Sequence, residues 1–320
     1  MTHITPWRWI GFLACVCLFL ALDLGVFHRR PRAVKFKEAV AWSAVWVALA
    51  MLFAAGILFW RGPELAAQFT TGYVIELSLS LDNILVMAVI FAYFRVPAEF
   101  QHRLLFWGIL GALVMRGAMI AAGVALIARF DWILYLFGAF LVFAGAKMLF
   151  SKQPLVEPEK NPVLRLAKKF LPLAPNLDGA KFVTQLAGKS VFTPLALVLL
   201  LIETTDLLFA VDSVPAVFSV TRSAFIVFTS NIFAIIGLRS MYFLLAGALG
   251  YFRYLKIGLS GALVFFGAKM LLAPHGETRQ WFQFEIPTAV SLLVVAAILL
   301  ISIALSVTAA QREKKVESQT

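Results

Sequence analysis

Residues 137–150 read FGAFLVFAGAKMLF, and 122 residues later, at 259–272, the chain reads LSGALVFFGAKMLL. Two apolar segments share composition easily, but a shared GAKML with a lysine fixed in each copy is a register. Working back from it, Arg116 falls near Arg239 and Asp82 near Asp206, each in the middle of an apolar run. The chain therefore reads as a three-segment unit that occurs twice, at 70–150 and at 193–273. What the unit is depends on those runs.

Of the 320 residues, 62% are hydrophobic and 14% charged, and the mean hydropathy is +0.90. No soluble globular composition looks like this. Apolar stretches recur at 7–27, 39–60, 70–94, 104–127, 132–150, 193–220, 224–247, 254–272 and 285–309. Each is long enough to cross a hydrocarbon core of about 30 Å as a helix. Helix is required because lipid-exposed backbone must satisfy its own hydrogen bonds. The predicted fold is an all-α polytopic membrane protein with about nine transmembrane helices. The first span is too long, and too closely followed by a second, for a cleaved signal peptide.

A net charge of +11 invites a nucleic-acid reading, but its placement excludes one. With the loop HRRPRAVKFKE at 28–38 taken as cytoplasmic and the sides alternating, 19 of the 28 Lys and Arg fall on the cytoplasmic side. That asymmetry is the positive-inside rule. It puts the N-terminus outside and the C-terminus on the cytoplasmic side. It also sends the third span in from outside and the sixth from inside, so the two three-helix copies are inverted. The expected organisation is a two-helix segment at 1–69, repeats at 70–150 and 193–273, a proline-containing basic linker at 151–192, and a last helix with a cytoplasmic tail at 274–320. Inverted repeats are an architecture of secondary transporters, whose sites lie near the midplane between the copies.

The spans carry charge where lipid penalises it. A carboxylate at the bilayer centre costs about 2.5–3.5 kcal/mol on insertion scales. Yet VIELSLSLDNILVM (74–87) carries Glu76, Asp82 and Asn83, and LLIETTDLLFAVDSVP (200–215) carries Glu203, Asp206, Asp212 and Ser213. Glu203 and Asp206, three apart, share a helical face. Asp212 lies nearly opposite Glu203 on an unbroken helix, and Pro215 frees the carbonyl of Val211, where a kink would turn Asp212 inward. All four histidines lie outside the expected spans, and Cys15 and Cys17, two apart in the first span, do not face each other. The donors are hard oxygens, which suit Mn²⁺, Mg²⁺ or Ca²⁺ rather than zinc or copper. Five buried carboxylates against Arg116 and Arg239 also need further positive charge, from a divalent ion or from protons. The competing reading makes these groups helix-to-helix glue, which accounts for two carboxylates and leaves three. Asp23 and Asn231 are weaker candidates, the first as an interfacial residue and the second as an interhelical amide.

The segments ELSLSLDN, IETTDLLFAVDSVPAVFSVT, FIVFTSNIFAIIGLRSMYFLLAG and LDLGVFHR…FKEAVAWSAVWVALA resemble the bacterial TerC family of integral membrane proteins, close to its Alx-type members, over residues 7 to 309. The resemblance implies a LysE-like transporter fold. It implies Mn²⁺ export linked to tellurite or metal resistance, and an acidic site at Glu76, Asp82, Asn83, Glu203, Asp206, Asp212 and Ser213. Arg116 and Arg239 would compensate charge there. The linker matches nothing in the family pattern.

Together these expectations describe a divalent-cation exporter, most simply for Mn²⁺ in exchange for protons, with no permanently bound cofactor. The rival is a non-transporting membrane scaffold of a tellurite-resistance or secretion-associated complex. A membrane enzyme has no nucleophile–base arrangement in the sequence to support it.

Overall fold

A computed structural model describes residues 9–12, 14–16, 18, 36–130, 132–150, 162–186, 188–246, 254–274 and 283–317. The helices are α1 (Phe36–Arg61), α2 (Pro63–Tyr93), α3 (Ala98–Arg129), α4 (Ile133–Phe150), α5 (Pro162–Phe170), α6 (Pro194–Phe218), α7 (Ala224–Ala246), α8 (Leu255–Leu272) and α9 (Thr288–Glu317). Seven of the described helices, namely α1 to α4, α6, α7 and α9, are long and apolar enough to cross a membrane. The span expected at 254–272 coincides with α8, and residues 9–12, 14–16 and 18 of the first expected span are helical. The rest of that span, Asp23 included, lies outside the described residues.

Helix boundaries follow local chemistry more than hydropathy. Pro63 opens α2 at its first position, where a missing N–H is harmless. Gly62 before it takes φ +92°, which side-chain-bearing residues avoid, so α1 turns directly into α2 seven residues before the apolar run suggested. Pro97 similarly starts α3 at Ala98, which carries His102 into the helix, buried against Phe243, instead of outside it. The polar linker contains more structure than its composition indicated. It holds α5 and an antiparallel hairpin of β1 (Val183–Leu186) and β2 (Lys189–Phe192). Leu164 and Ala167 pin α5 to the apolar cluster of Leu195, Val198 and Leu201 on α6.

α2 runs through the middle of the bundle, flanked by α1, α6, α7 and α9. Its Ile75 joins one apolar cluster with Val217, Leu141 and Phe266, and its Ile84 joins another with Leu105, Leu201 and Leu238. The polar residues of α2 lie between the two.

The GAKML helices α4 and α8 pack antiparallel at close range. A Cβ on Gly138 would stand 3.0 Å from the carbonyl oxygen of Gly267, and one on Gly145 would stand 2.8 Å from that of Ser260. Small residues allow this approach, which in lipid is a main source of helix attraction. The contacts also interchange. Gly145 meets Cγ2 and the amide of Val264, and Gly267 meets Cγ2 and the amide of Val142. In the register of the opening quotation Gly145 corresponds to Gly267 and Val264 to Val142.

Candidate transport site

The sequence-expected residues fall in three places. The first is a closed network around Arg116, which is 2% exposed. Its Nη1 donates to Glu76 Oε2, to Ser213 Oγ at 3.2 Å and to Asn231 Oδ1 at 3.4 Å. Its Nε and Nη2 donate to the two oxygens of Asp206 at 3.3 and 3.2 Å. Asn83 Nδ2 adds a bond to Asp206 Oδ1 at 3.1 Å, and Asn231 Nδ2 donates to Glu76 Oε1. Four side chains on α2, α6 and α7 (Glu76, Asp206, Ser213 and Asn231) thus converge on one guanidinium from α3, and Asn83 joins them through Asp206. Glu76 and Asp206 are engaged here, as the helix-glue reading expects for two carboxylates.

The second place is a cavity of about 450 Å³ beside the network, lined by Asp82, Asn83, Thr205, Asp212, Ser213 and the edge of Arg116. Asp82 and Asn83 are 3% and 2% exposed, and among the described residues Asp82 Oδ1 and Asn83 Oδ1 find no hydrogen-bond donor. The amide of Asn83 is oriented by its bond to Asp206, which leaves its oxygen over. Buried acceptors without partners are uncommon and need an explanation. α6 continues through Pro215 to Phe218, and Asp212 reaches the cavity that Asp82 lines. Thr205 donates to Leu201 O at 2.6 Å, so its hydroxyl oxygen keeps its acceptor capacity.

The third place holds Glu203 alone. Its half-buried carboxylate fills the notch over Gly111 on α3, where a Cβ would collide with it. Glu203 does not line the cavity. Arg239 is buried on α7 at 7% exposure, but none of the bonds to these carboxylates comes from it. Among the described residues, no three His, Cys, Asp or Glu side chains gather as a metal-chelating group. The five carboxylates expected around one ion are therefore divided two, two and one, because Arg116 takes Glu76 and Asp206 for itself. Bonding also pairs Glu76 with Asp206 and leaves Asp82 facing the cavity with Asp212. The sequence register had set Asp82 against Asp206.

Lys147, which sequence reasoning used only for the repeat register, and Lys256, counted only for topology, line the same cavity. The signal was present in the lysine of GAKML, which no apolar helix needs.

A helical bundle with apolar spans and a charged interior is an integral multi-pass membrane protein. Its residues 61–314 match the integral membrane protein TerC family, and the chain belongs to that family. It is 53% identical over 302 residues to the membrane protein STKORF319 of Myxococcus xanthus, covering 94% of this chain and 92% of that one. It is 46% identical over 310 residues to Alx of Escherichia coli K12, named as a candidate membrane-bound redox modulator, with 93% of each chain covered. A membrane protein of Rickettsia felis is 38% identical over 299 residues, 93% of this chain and 97% of the other. No solved structure matches.

Proposed function

We propose that this protein carries divalent metal cations, Mn²⁺ first among them, out of the cytoplasm across the bacterial inner membrane, in exchange for protons. The observation that carries the reading is the pair of donorless oxygens on Asp82 and Asn83, set in a cavity with Asp212, Ser213 and Thr205. Acceptor oxygens without donors, next to two carboxylates, are what a hard cation needs. With few protein ligands the ion keeps part of its water, which suits passage better than storage. The Arg116 network then serves as the frame that holds α2, α3, α6 and α7 in register around it.

The interchanging contacts of α4 and α8 support the inverted repeat. So does the packing of α2 on α7 and of α3 on α6, which exchange under the same operation. Nine spans and an N-outside orientation belong to the same reading. In this reading Glu76 corresponds to Asp206 and Asp82 to Asp212. Protons re-enter because carboxylates that have released a metal take them up, and metal binding expels them.

A scaffold role is the second reading. It draws on the ordered cytoplasmic segment 162–192, where Leu166, Phe170 and Leu186 are exposed. A redox role, as in the name of the Escherichia coli relative, would have Cys15 and Cys17 as its thiols. The deciding experiment is flux into proteoliposomes holding only this chain, across a panel of divalent ions with and without a pH gradient. The transport reading requires Mn²⁺ movement that a pH gradient accelerates. Absence of movement for every ion leaves the scaffold.

A further inference from the structure

A cavity proposed to take a cation is lined by two lysines, Lys147 and Lys256, as well as by Asp82 and Asp212. Lys256 is the cation that acts on Asp82, and Lys147 the one that acts on Asp212. Among the described residues, Asp82 Oδ1 stays without a hydrogen-bond donor. Both lysines sit at the same end of the α4–α8 pair. Lys147 is near the C-terminus of α4, Lys256 begins α8, and the antiparallel crossing brings the region of Gly145 against Ser260. Lysine near a helix end can withdraw its head group to the interface along its flexible stem.

The repeat sharpens the contrast. Lys269, which corresponds to Lys147 in the GAKML register, is 7% exposed, and its Nζ donates to Ser291 Oγ on α9 at 2.8 Å. α9 therefore ties down one lysine of the pair, while the other faces the cavity.

We propose that Lys147 and Lys256 are tethered counter-ions of the transport cavity. They balance Asp212 and Asp82 while it is empty, and an incoming divalent cation displaces them toward the mouth. The inference rests on the transport reading. It explains how two carboxylates persist in an empty apolar bundle, and how a bound ion is released again: a returning ammonium competes with it for the same oxygens.

The test measures Mn²⁺ affinity and flux of the reconstituted full chain with Lys147→Met, Lys256→Met and both changes together. Lys189→Met on the hairpin serves as a control for net charge. Removing positive charge beside a divalent ion tightens binding, and for the double variant by at least about tenfold. Flux at saturating Mn²⁺ falls at the same time, because release loses its competitor. Lys→Arg at either site keeps affinity close to wild type. If the double variant is not recovered from membranes, Lys147→Gln and Lys256→Gln singly are each expected to tighten binding about threefold. Affinity that is unchanged or weaker in the lysine variants overturns the counter-ion proposal alone. A wild-type protein that binds no Mn²⁺ overturns the transport reading and this proposal with it.

Discussion

Asp206 receives bonds from Arg116 and Asn83, whereas one oxygen of Asp82 meets no donor among the described residues. The same side chain in two surroundings should therefore fail in two ways. Asp82→Asn is expected to abolish Mn²⁺ flux while the protein inserts at normal levels. It replaces a charged oxygen facing the cavity and breaks no bond. Arg116→Leu should instead lower the amount of folded protein. Breaking a buried ion pair from one side costs about 3–5 kcal/mol, and here Glu76 and Asp206 are both left without their cation. Quantitative blotting of membranes beside flux separates the two outcomes. Normal levels of the Arg116 variant would show that the network frames nothing. The sequence showed which side chains were buried and charged. It could not show which of them an arginine on another helix had already claimed.

α4 and α8 meet backbone to backbone, and this crossing has no slack. A methyl on Gly267 would lie 2.7 Å from the carbonyl oxygen of Gly138 and from the amide of Val142. Neither neighbour is a side-chain tip that can swing aside. Gly267→Ala should destabilise the protein by about 1–3 kcal/mol, the usual penalty for overpacking. Gly145→Ala should do the same if the two positions are equivalent. Thermal unfolding in detergent checks both, and a large effect at only one would break the equivalence. The hairpin of β1 and β2 offers a different test. Asp178 accepts bonds from Thr184 at 2.6 Å and Lys181 at 3.0 Å. Thr184 chiefly, then Lys181, holds its carboxyl below the ordinary value of 3.8. A lowered folded value means the contribution is fully present above 3.8 and is lost as pH falls through the lowered value. Hydrogen exchange at 183–192 should be unchanged by pH down to about 5, once corrected for intrinsic rates. Early loss of protection would mean that another group holds the hairpin. This hairpin was hidden in a stretch whose prolines and charges read as linker, since strands of four residues leave almost no periodic trace.

At the scale of the whole molecule, the proposed exchange makes proton and metal compete for one set of oxygens. Mn²⁺ binding should weaken as pH falls and release protons on association, because liganding carboxylates must be ionised. Calorimetry in two buffers of different ionisation enthalpy, between about pH 6 and 8, reads the proton number directly. No release across that range would leave a uniporter with the same ligands and remove the exchange. The tail after residue 310 should be dispensable for flux, as the apolar span of α9 ends at Ala309.

Hydropathy alone determined that this chain is a membrane protein and roughly where its helices run. These are local or additive properties, because a bilayer tests each segment for length and polarity separately. Which carboxylates face a cavity and which are spent on Arg116 was settled only by packing. Partners such as Glu76 and Asn231 are 155 residues apart, and their meeting depends on the rotation of each helix about its own axis. In a helix apolar all round, no stripe of the sequence records that rotation. Tertiary contact fixed it, and with it the two lysines that share the cavity with the aspartates.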